Sequence, residues 1–485
     1  MTQMFRMTPG PARLPQAPAV RCRQAQTLTT MVLACALSAC AVGPRHEAAP
    51  AVETPAAFKQ GQGEWVVAVP ADTLERGPWW DLFGDAVLGD LAQRVEISNN
   101  TLAAAVAAYA QARALTAEQR ASLFPTVGLD SAASRSGGRG DAVERRSVQV
   151  GIGGSWEPDV FGRLGRGIAA SRAGEQASLA DLASARLALL GELAVNYFNL
   201  RQADAQRAIL AATIAGYQRT FQIAQNRYVA GIVARTDVLQ AQTQLANAQA
   251  DLLGVERQRA QLEHAIAVLV GVAPASFSIE PRSDWLPSVP AVPFDLPSTL
   301  LQRRPDIASA ERRVAQANEQ IGIALSGYYP SLRLSGSAGL GAASIGELFS
   351  ASALVWSLGA SLAQTIFDAG AIGARVERSR AALDQAAANY RQTVLRAFQQ
   401  VEDQLLAARI LARQQGLRAE ASQAADLVEQ QVLNRYQAGQ VSFTEVVTAQ
   451  ATAANARRAL LQALVDRQVA AVALIQALGG GWTGL

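Results

Sequence analysis

Residues 227–253, RYVAGIVARTDVLQAQTQLANAQADLL, return 208 positions later (435 less 227) as RYQAGQVSFTEVVTAQATAANARRALL. Arg227, Tyr228, Gly231, Thr236, Gln242 and Asn247 recur in register as Arg435, Tyr436, Gly439, Thr444, Gln450 and Asn455. A carboxylate recurs as well, Asp237 in the first copy and Glu445 in the second. Each copy reads as a helix, a glycine turn and a returning helix. Gly231 and Gly439 supply the positive φ that such a tight reversal needs. Ser442 with Glu445 has the spacing of a capping box, and Thr236 marks a helix start. A period of this kind constrains the fold before any other feature does: the chain is two copies of one unit.

The rest of the unit also appears twice. From Ala86 to about Leu123 the apolar residues Leu88, Leu91, Val95, Leu102, Val106 and Tyr109 fall at helical spacing, and Pro125 ends the run. Over about 126–157 the period changes to two: Val148, Val150 and Ile152 alternate with Gln149, Gly151 and Gly153. A polar loop at 136–140 separates the two strand segments. Residues 163–228 then form one helical tract without proline, long enough to reach roughly 90 Å. No globular core needs that length; a coiled coil or the wall of a tube does. The first repeat is thus expected over 86–271, and a proline-rich linker over 272–297. The second repeat covers 298–479, with strands at about 331–364 and a long helix over 370–436, leaving a tail at 480–485. Pro305 and Asp306 suit the first turn of the helix that opens the second repeat.

Strand segments of about ten residues, apolar on one face and small or polar on the other, are what a tilted strand crossing a bilayer requires. Four strands cannot close a barrel, and open edges are not tolerated in hydrocarbon. The chain should therefore pool strands with copies of itself; three chains would bring 12, inside the range of such barrels. The Val148/Val150/Ile152 face is expected to meet lipid and the Gln149 face the lumen. The helical tracts carry regular Arg, Gln and Glu, and none is read as membrane-spanning. The fold class expected is mostly α with a transmembrane β part. The glycines at 151–154 and 336–341 sit in strands, where they permit curvature or close backbone approach.

At the N-terminus, Arg13, Arg21 and Arg23 precede an apolar run from Leu28 to Ala39 that is too short to span a bilayer and reads as a signal peptide, 1–39. It ends in Leu37-Ser38-Ala39-Cys40, which resembles a bacterial lipoprotein box, so Cys40 is the candidate lipid-attachment residue. Cleavage there removes Cys22 and Cys35 and leaves no pair for an internal disulfide. Residues 40–85 follow as a lipid-anchored arm that closes on Trp79-Trp80-Asp81-Leu82-Phe83-Gly84-Asp85. A net charge of +3 with interspersed signs gives no reason to expect nucleic acid. Lys59 is the only lysine, which excludes a phosphate-loop or Schiff-base lysine elsewhere. The two histidines, His46 and His264, stand alone, and no metal or hydrolase motif is present. Neither a cofactor nor an enzymatic activity is expected. The Arg303-Arg304 pair reads as structural. Tyr328, Tyr329, Trp156 and Trp356 fall in or near strand ends, placed either to lie at a membrane interface or to pack on the rod.

Taken together, Cys40 with Gly43-Pro44, the 80–85 cluster, Leu123-Phe124-Pro125, Trp156-Glu157-Pro158-Asp159-Val160-Phe161-Gly162, Arg303-Arg304-Pro305-Asp306-Ile307, Tyr329-Pro330 and the two Arg-Tyr-x-Ala-Gly turns resemble the TolC-like outer-membrane efflux family, in its NodT-type lipoprotein branch. The resemblance implies a homotrimer with a shared β-barrel in the outer membrane, four strands per chain, and a long α-helical barrel in the periplasm. It also implies two partners, a periplasmic adaptor and an inner-membrane efflux transporter. The expected function is the passive exit duct of a tripartite pump. The alternative from another class is a lipid-anchored scaffold of helical hairpins without channel activity. On the first reading the glycine turns form the periplasmic gate, with Tyr228, Asp237, Tyr436 and Glu445 as candidates. The carboxylates would ring the axis and bond to a tyrosine of a neighbouring hairpin. Where family members often carry a further acidic residue, one turn after Glu445, this chain has Thr448.

Overall fold

The computed structural model describes residues 43–44, 53–55, 57–60, 78–137, 145–285, 287–290, 304–350 and 353–480. The signal peptide, Cys40, His46, Arg303 and most of the arm, together with parts of the linker and tail, lie outside the described residues. The first copy contributes α1 (Ala86–Ser98), α2 (Asn100–Ala121), β1 (Thr126–Ser136), β2 (Arg145–Trp156), α3 (Arg163–Val229) and α4 (Arg235–Leu269). The second contributes α5 (Pro305–Leu325), β3 (Ser331–Ala342), β4 (Leu354–Ala363), α6 (Ala371–Gln437) and α7 (Phe443–Ala477). The two long helices, α3 and α6, are 67 residues each, and the two returning helices 35 each. The repeat seen in sequence is therefore a repeat of element lengths. The chain divides into two compact units, one built on the strands (119–168 and 319–378 with residues up to 45) and one on the helices (46–118, 169–318 and 379–485).

The strand unit is a single antiparallel sheet in the order β1-β2-β3-β4. The two hairpins, one from each copy, are joined through β2 and β3, with Val148 opposite Ala342 and Trp156 opposite Leu334. Register sorts the side chains by face, because opposed residues share a side and successive ones alternate. Val127, Leu129, Val148, Val150, Ile152, Leu334, Leu340, Leu354, Trp356, Leu358 and Leu362 fall on one face. Asp130, Gln149, Ser335, Ser337, Ser357 and Ser361 fall on the other, among glycines. None of the described residues covers the apolar face: Trp356 is 71% and Leu358 81% exposed. Gly151 and Gly339 oppose each other on the small-residue face. A Cβ on Gly339 would stand 2.5 Å from the Val150 carbonyl oxygen and 2.6 Å from the Gly151 Cα. The backbones approach there as only glycine permits.

Ends of the sheet are fastened locally. The Trp156 indole donates to the Leu123 carbonyl at 2.8 Å, and Phe161 stacks on Tyr329 at 5.2 Å between ring centres. Asp159 and Asp368 cap α3 and α6, accepting from Leu164 and Gly165 and from Gly370 and Ile372 respectively. Of the four strand-end aromatics, Trp156 and Tyr329 are thus tied to the chain, while Trp356 projects from the apolar face.

In the helical unit the largest cluster gathers Trp80, Phe83, Leu88, Leu91, Val95, Leu193, Tyr197, Phe198, Leu200, Ile266, Trp285, Val465 and Val472. The aromatic segment 79–83 docks there as one turn of 3-10 helix, Phe83 against Phe198 at 5.0 Å. The helix expected over 86–123 is two helices. Asn99 interrupts it, its side chain accepting from Leu102 N–H at 2.9 Å and donating to the Leu269 carbonyl at 2.7 Å. A cap for α2 and a clamp on the end of α4 outweigh one continued turn. Beyond Asn99 the apolar stripe loses its cover: Leu102 is buried and Val106 exposed.

Charges buried in this unit are paired. Arg201, 1% exposed, meets Asp204 at 3.0 Å and donates to the Glu280 carbonyl; Arg259 reaches the other Asp204 oxygen at 2.7 Å and also binds Glu263. Asp204 further accepts from the Arg282 N–H, and Glu263 from the Ile279 N–H. The start of the proline-rich linker is held by these bonds. Removing one partner of such a buried set costs about 3–5 kcal/mol, because the remaining charge is stranded. The Tyr197 hydroxyl donates to Asp85 at 2.8 Å, and burial pushes its ionisation far above the ordinary tyrosine range. Arg304 is structural, as expected: it forks onto Asp306 and donates to Gln400 and to the Ala477 carbonyl, closing the end of α7. One helix among the described residues is long and apolar enough, by length and composition, to cross a membrane. α7 contains an eighteen-residue window apolar enough by composition, and half of it is buried.

Candidate functional site

The two glycine turns are built alike. Gly231 has φ +73° and Gly439 φ +75°, and nothing lies within 4 Å of a Cβ on Gly231. In each, the turn residue after glycine donates back to the helix: Ile232 N–H to the Arg227 carbonyl and Gln440 N–H to the Arg435 carbonyl. Each returning helix carries its carboxylate in the first turn, Asp237 in α4 and Glu445 in α7, where the helix dipole favours it. Their local settings differ. Ser442 is the N-cap of α7, and Glu445 accepts from the Ser442 N–H at 3.3 Å. The N-cap of α4 is Ala234, which has no side chain to cap with, so Thr236 lies inside the helix rather than starting it.

The repeated Arg-Tyr pair is where the copies part. Tyr436 is 2% exposed, packed with Ala224, Ala241, Phe443 and Val446. Its ring meets Phe443 edge-on at 5.6 Å between centres. On its other side lies the guanidinium of Arg227, from the first copy, 4.7 Å from the ring centre. The same guanidinium donates to the Tyr436 carbonyl at 2.8 Å and passes within 3.6 Å of a Cβ on Gly439. Arg227 therefore latches the first hairpin to the second. Tyr228 is 44% exposed and Arg435 is exposed. The arginine of the first copy meets the tyrosine of the second, and among the described residues their repeat mates make no such contact.

One part of the expected gate changes accordingly. Tyr436 is a packing residue between hairpins of one chain, not a side chain presented to a neighbour. Its hydroxyl is buried without a hydrogen-bond partner, and burial raises its pKa. Among the described residues neither carboxylate bonds a tyrosine: Asp237 meets Thr236 at 3.5 Å, and Glu445 meets Ser442. Arg227, which holds the tip together, was legible only as an unexplained member of the Arg-Tyr pair. Thr448, one turn after Glu445, donates its hydroxyl back to the Thr444 carbonyl.

Comparison with known proteins agrees over nearly the whole chain. A family model described as outer membrane efflux protein matches residues 91–272 and 296–480. The cation efflux system protein CusC of Escherichia coli O6:H1 is 29% identical over 461 residues, covering 94% of this chain and 98% of that protein. The pyoverdine export outer membrane protein OpmQ of Pseudomonas aeruginosa is 31% identical, covering 88% of this chain and 94% of that one. Among solved structures, the outer-membrane channel OprN superposes with a TM-score of 0.85 at 29% identity, over 91% of this chain and 99% of that one.

Proposed function

The chain belongs to the outer membrane efflux protein family, and from that premise we propose how it works as an efflux channel of the outer membrane. Three copies pool their strands into one barrel, apolar faces to the lipid and small-residue faces to the lumen. The observation that carries this reading is the sheet itself. All its large apolar side chains but Val355 stand on one face, and among the described residues that face is uncovered and both edges, β1 and β4, are unpaired. The apolar face is costly in water and the open edges in hydrocarbon, and both are resolved by closure among copies in a membrane. Along α6, Leu395, Leu406, Ile410, Leu417 and Leu427 are exposed, which supports a helical wall completed by the same neighbours. The sorting of faces also disfavours a hairpin scaffold that never enters the membrane.

Cys40 anchors the mature N-terminus to the inner leaflet of the outer membrane, and the repeats fall at 86–271 and 298–479. The glycine turns close the periplasmic end, and a periplasmic adaptor coupled to an inner-membrane transporter opens it. Cargo is chosen by that transporter: relatives of similar identity are named for cation efflux and for pyoverdine export, as fits a duct that passes what it is given. No chemistry is assigned to any residue. The test is to purify the protein from outer-membrane fractions, weigh it by native mass spectrometry and record it in planar bilayers. A trimer that conducts only after opening perturbations at the turns supports the proposal. A monomer without conductance refutes it.

A further inference from the structure

The two hairpins of the sheet differ in one pair of residues that a duct does not require. Pro125 before β1 matches Pro330 before β3, so Thr126 is the counterpart of Ser331. Thr126 opposes Ser155 and Ser331 opposes Ala363. Nine residues further along each hairpin (135 less 126, 340 less 331), the first copy opposes Arg135 to Arg146 and the second opposes Leu340 to Leu354. Both arginines stand on the apolar face. Arg135 continues the alternation of Val127 and Leu129, and Arg146 that of Ile152, Val150 and Val148. Both are exposed. The face that turns to lipid therefore ends, in one copy only, in two opposed cations.

Depth gives the pair a meaning. Trp156, on the same face of β2, is ten residues from Arg146 (156 less 146). That is about 33 Å along a strand, or about 25 Å of depth at a tilt near 40°, the height of the apolar band of such barrels. Trp156 is at the end of β2 that leads into α3 and is bonded to the Leu123 carbonyl. With Trp156 at the periplasmic surface of the membrane, Arg135 and Arg146 stand at the outer one, where arginine on a lipid face is nearly free of cost. Like charges directly opposed still weaken a strand pair, and an anion between them would offset that. Over 135–146 the sequence has Arg135, Arg139, Arg145 and Arg146 against Asp141 and Glu144, an excess of two positive charges (four less two). Arg139, Asp141 and Glu144 lie outside the described residues. The turn of the second hairpin, 343–353, has no arginine or lysine, and Ile345 and Phe349 are 71% and 82% exposed there.

Resting on the barrel reading above, we propose that Arg135 and Arg146 bind the phosphate of an outer-leaflet lipid, one site in each chain. Guanidinium groups match phosphate oxygens with paired N–H donors. Opposed residues have Cα atoms about 5 Å apart, so both forks reach one phosphate. Ala133 and Val148, the next opposed pair on that face, lie below it and meet the acyl chains. A free phosphate ion has no such apolar contact to gain, which favours the lipid. The bound headgroup then fixes the depth of the first hairpin in the outer leaflet.

Native mass spectrometry of the full-length protein in detergent, with added diphosphorylated lipid A, carries the test. The parent should take up to three lipids per trimer. Arg135→Leu with Arg146→Leu writes the pair of the second copy into the first; it should assemble and bind at least about tenfold more weakly, as loss of charge-assisted bonds implies. Arg135→Gln with Arg146→Gln should weaken binding alike and keeps the test open if the leucine variant does not assemble. Arg333→Gln removes a charge from the opposite face of β3 and should bind as the parent does. Lipid A stripped of its phosphates should bind weakly, and inorganic phosphate at equal concentration should not displace the lipid. Undiminished binding by an assembled variant, equal loss in Arg333→Gln, or tight binding of the stripped lipid overturns the site. Displacement by inorganic phosphate overturns the lipid in favour of the free ion. The same spectra weigh the oligomer: a parent that is not a trimer sinks the barrel reading, whereas a trimer without phosphate-dependent lipid sinks this site alone.

Discussion

Replacing Arg227 with glutamine should loosen the closed tip. The guanidinium makes one hydrogen bond to the Tyr436 carbonyl, at 2.8 Å, and covers the Tyr436 ring at 4.7 Å. A bond from a charged donor contributes about 1.5–3 kcal/mol, and a cation over a ring about 0.5–1 kcal/mol when partly exposed. Glutamine can keep a weaker bond to the carbonyl, so the net loss per chain is at the lower end, about 2 kcal/mol. At about 1.4 kcal/mol per tenfold, the separated arrangement of the two hairpins gains roughly 30-fold in weight in every chain. Tip contacts lie far from the main core of the helical unit, so its cooperative unfolding should be unchanged. Planar-bilayer recording at moderate salt is the assay: the variant should show a larger conductance or a higher open fraction than the parent. Tyr436→Phe is the paired control. It removes a buried hydroxyl that has no partner and keeps the ring under Arg227, so it should leave conductance near the parent level, and Asp237→Ala added to it should act only through the carboxylate. If Arg227→Gln behaves like the parent while Tyr436→Phe opens the channel, the ring-and-carbonyl latch is wrong and the hydroxyl is the working group.

Three further outcomes are expected. Val150→Arg should cost about 2–4 kcal/mol if it lies near the midplane of the bilayer, whereas Gln149→Arg should chiefly change conductance; equal losses of heat-resistant oligomer would argue against the facing. Gly339→Ala must push its Cβ out of the Val150 carbonyl and the Gly151 Cα, so it should destabilise the assembled barrel by about 1–3 kcal/mol, read as earlier dissociation on heating. Gly346→Ala, with open space around it, should be silent, and matched behaviour of the two would sink the curvature argument. Cys40→Ala should abolish palmitate labelling while part of the export survives; label that persists places the acyl group elsewhere.

Periodicity was enough to read the two repeats, the long helices, the strand positions and the sorting of faces. Each is a local property: residue i and its neighbours two, three or four places on decide which side of an element is apolar. The glycine turns were legible for the same reason, since positive φ at 231 and 439 is a demand on one residue. The break at Asn99 was not, because its cause is the Leu269 carbonyl 170 positions away. Nor was the division of labour between Tyr228 and Tyr436. Part of the difference is local, Phe443 beside Tyr436 where the first copy has Arg235, but Ala224, Ala241 and Arg227 come from the opposite copy, Arg227 across 209 positions. A repeat written twice in one chain can satisfy its copy-to-copy contact once, in one direction. Tertiary structure decides which direction, and so which groups remain exposed.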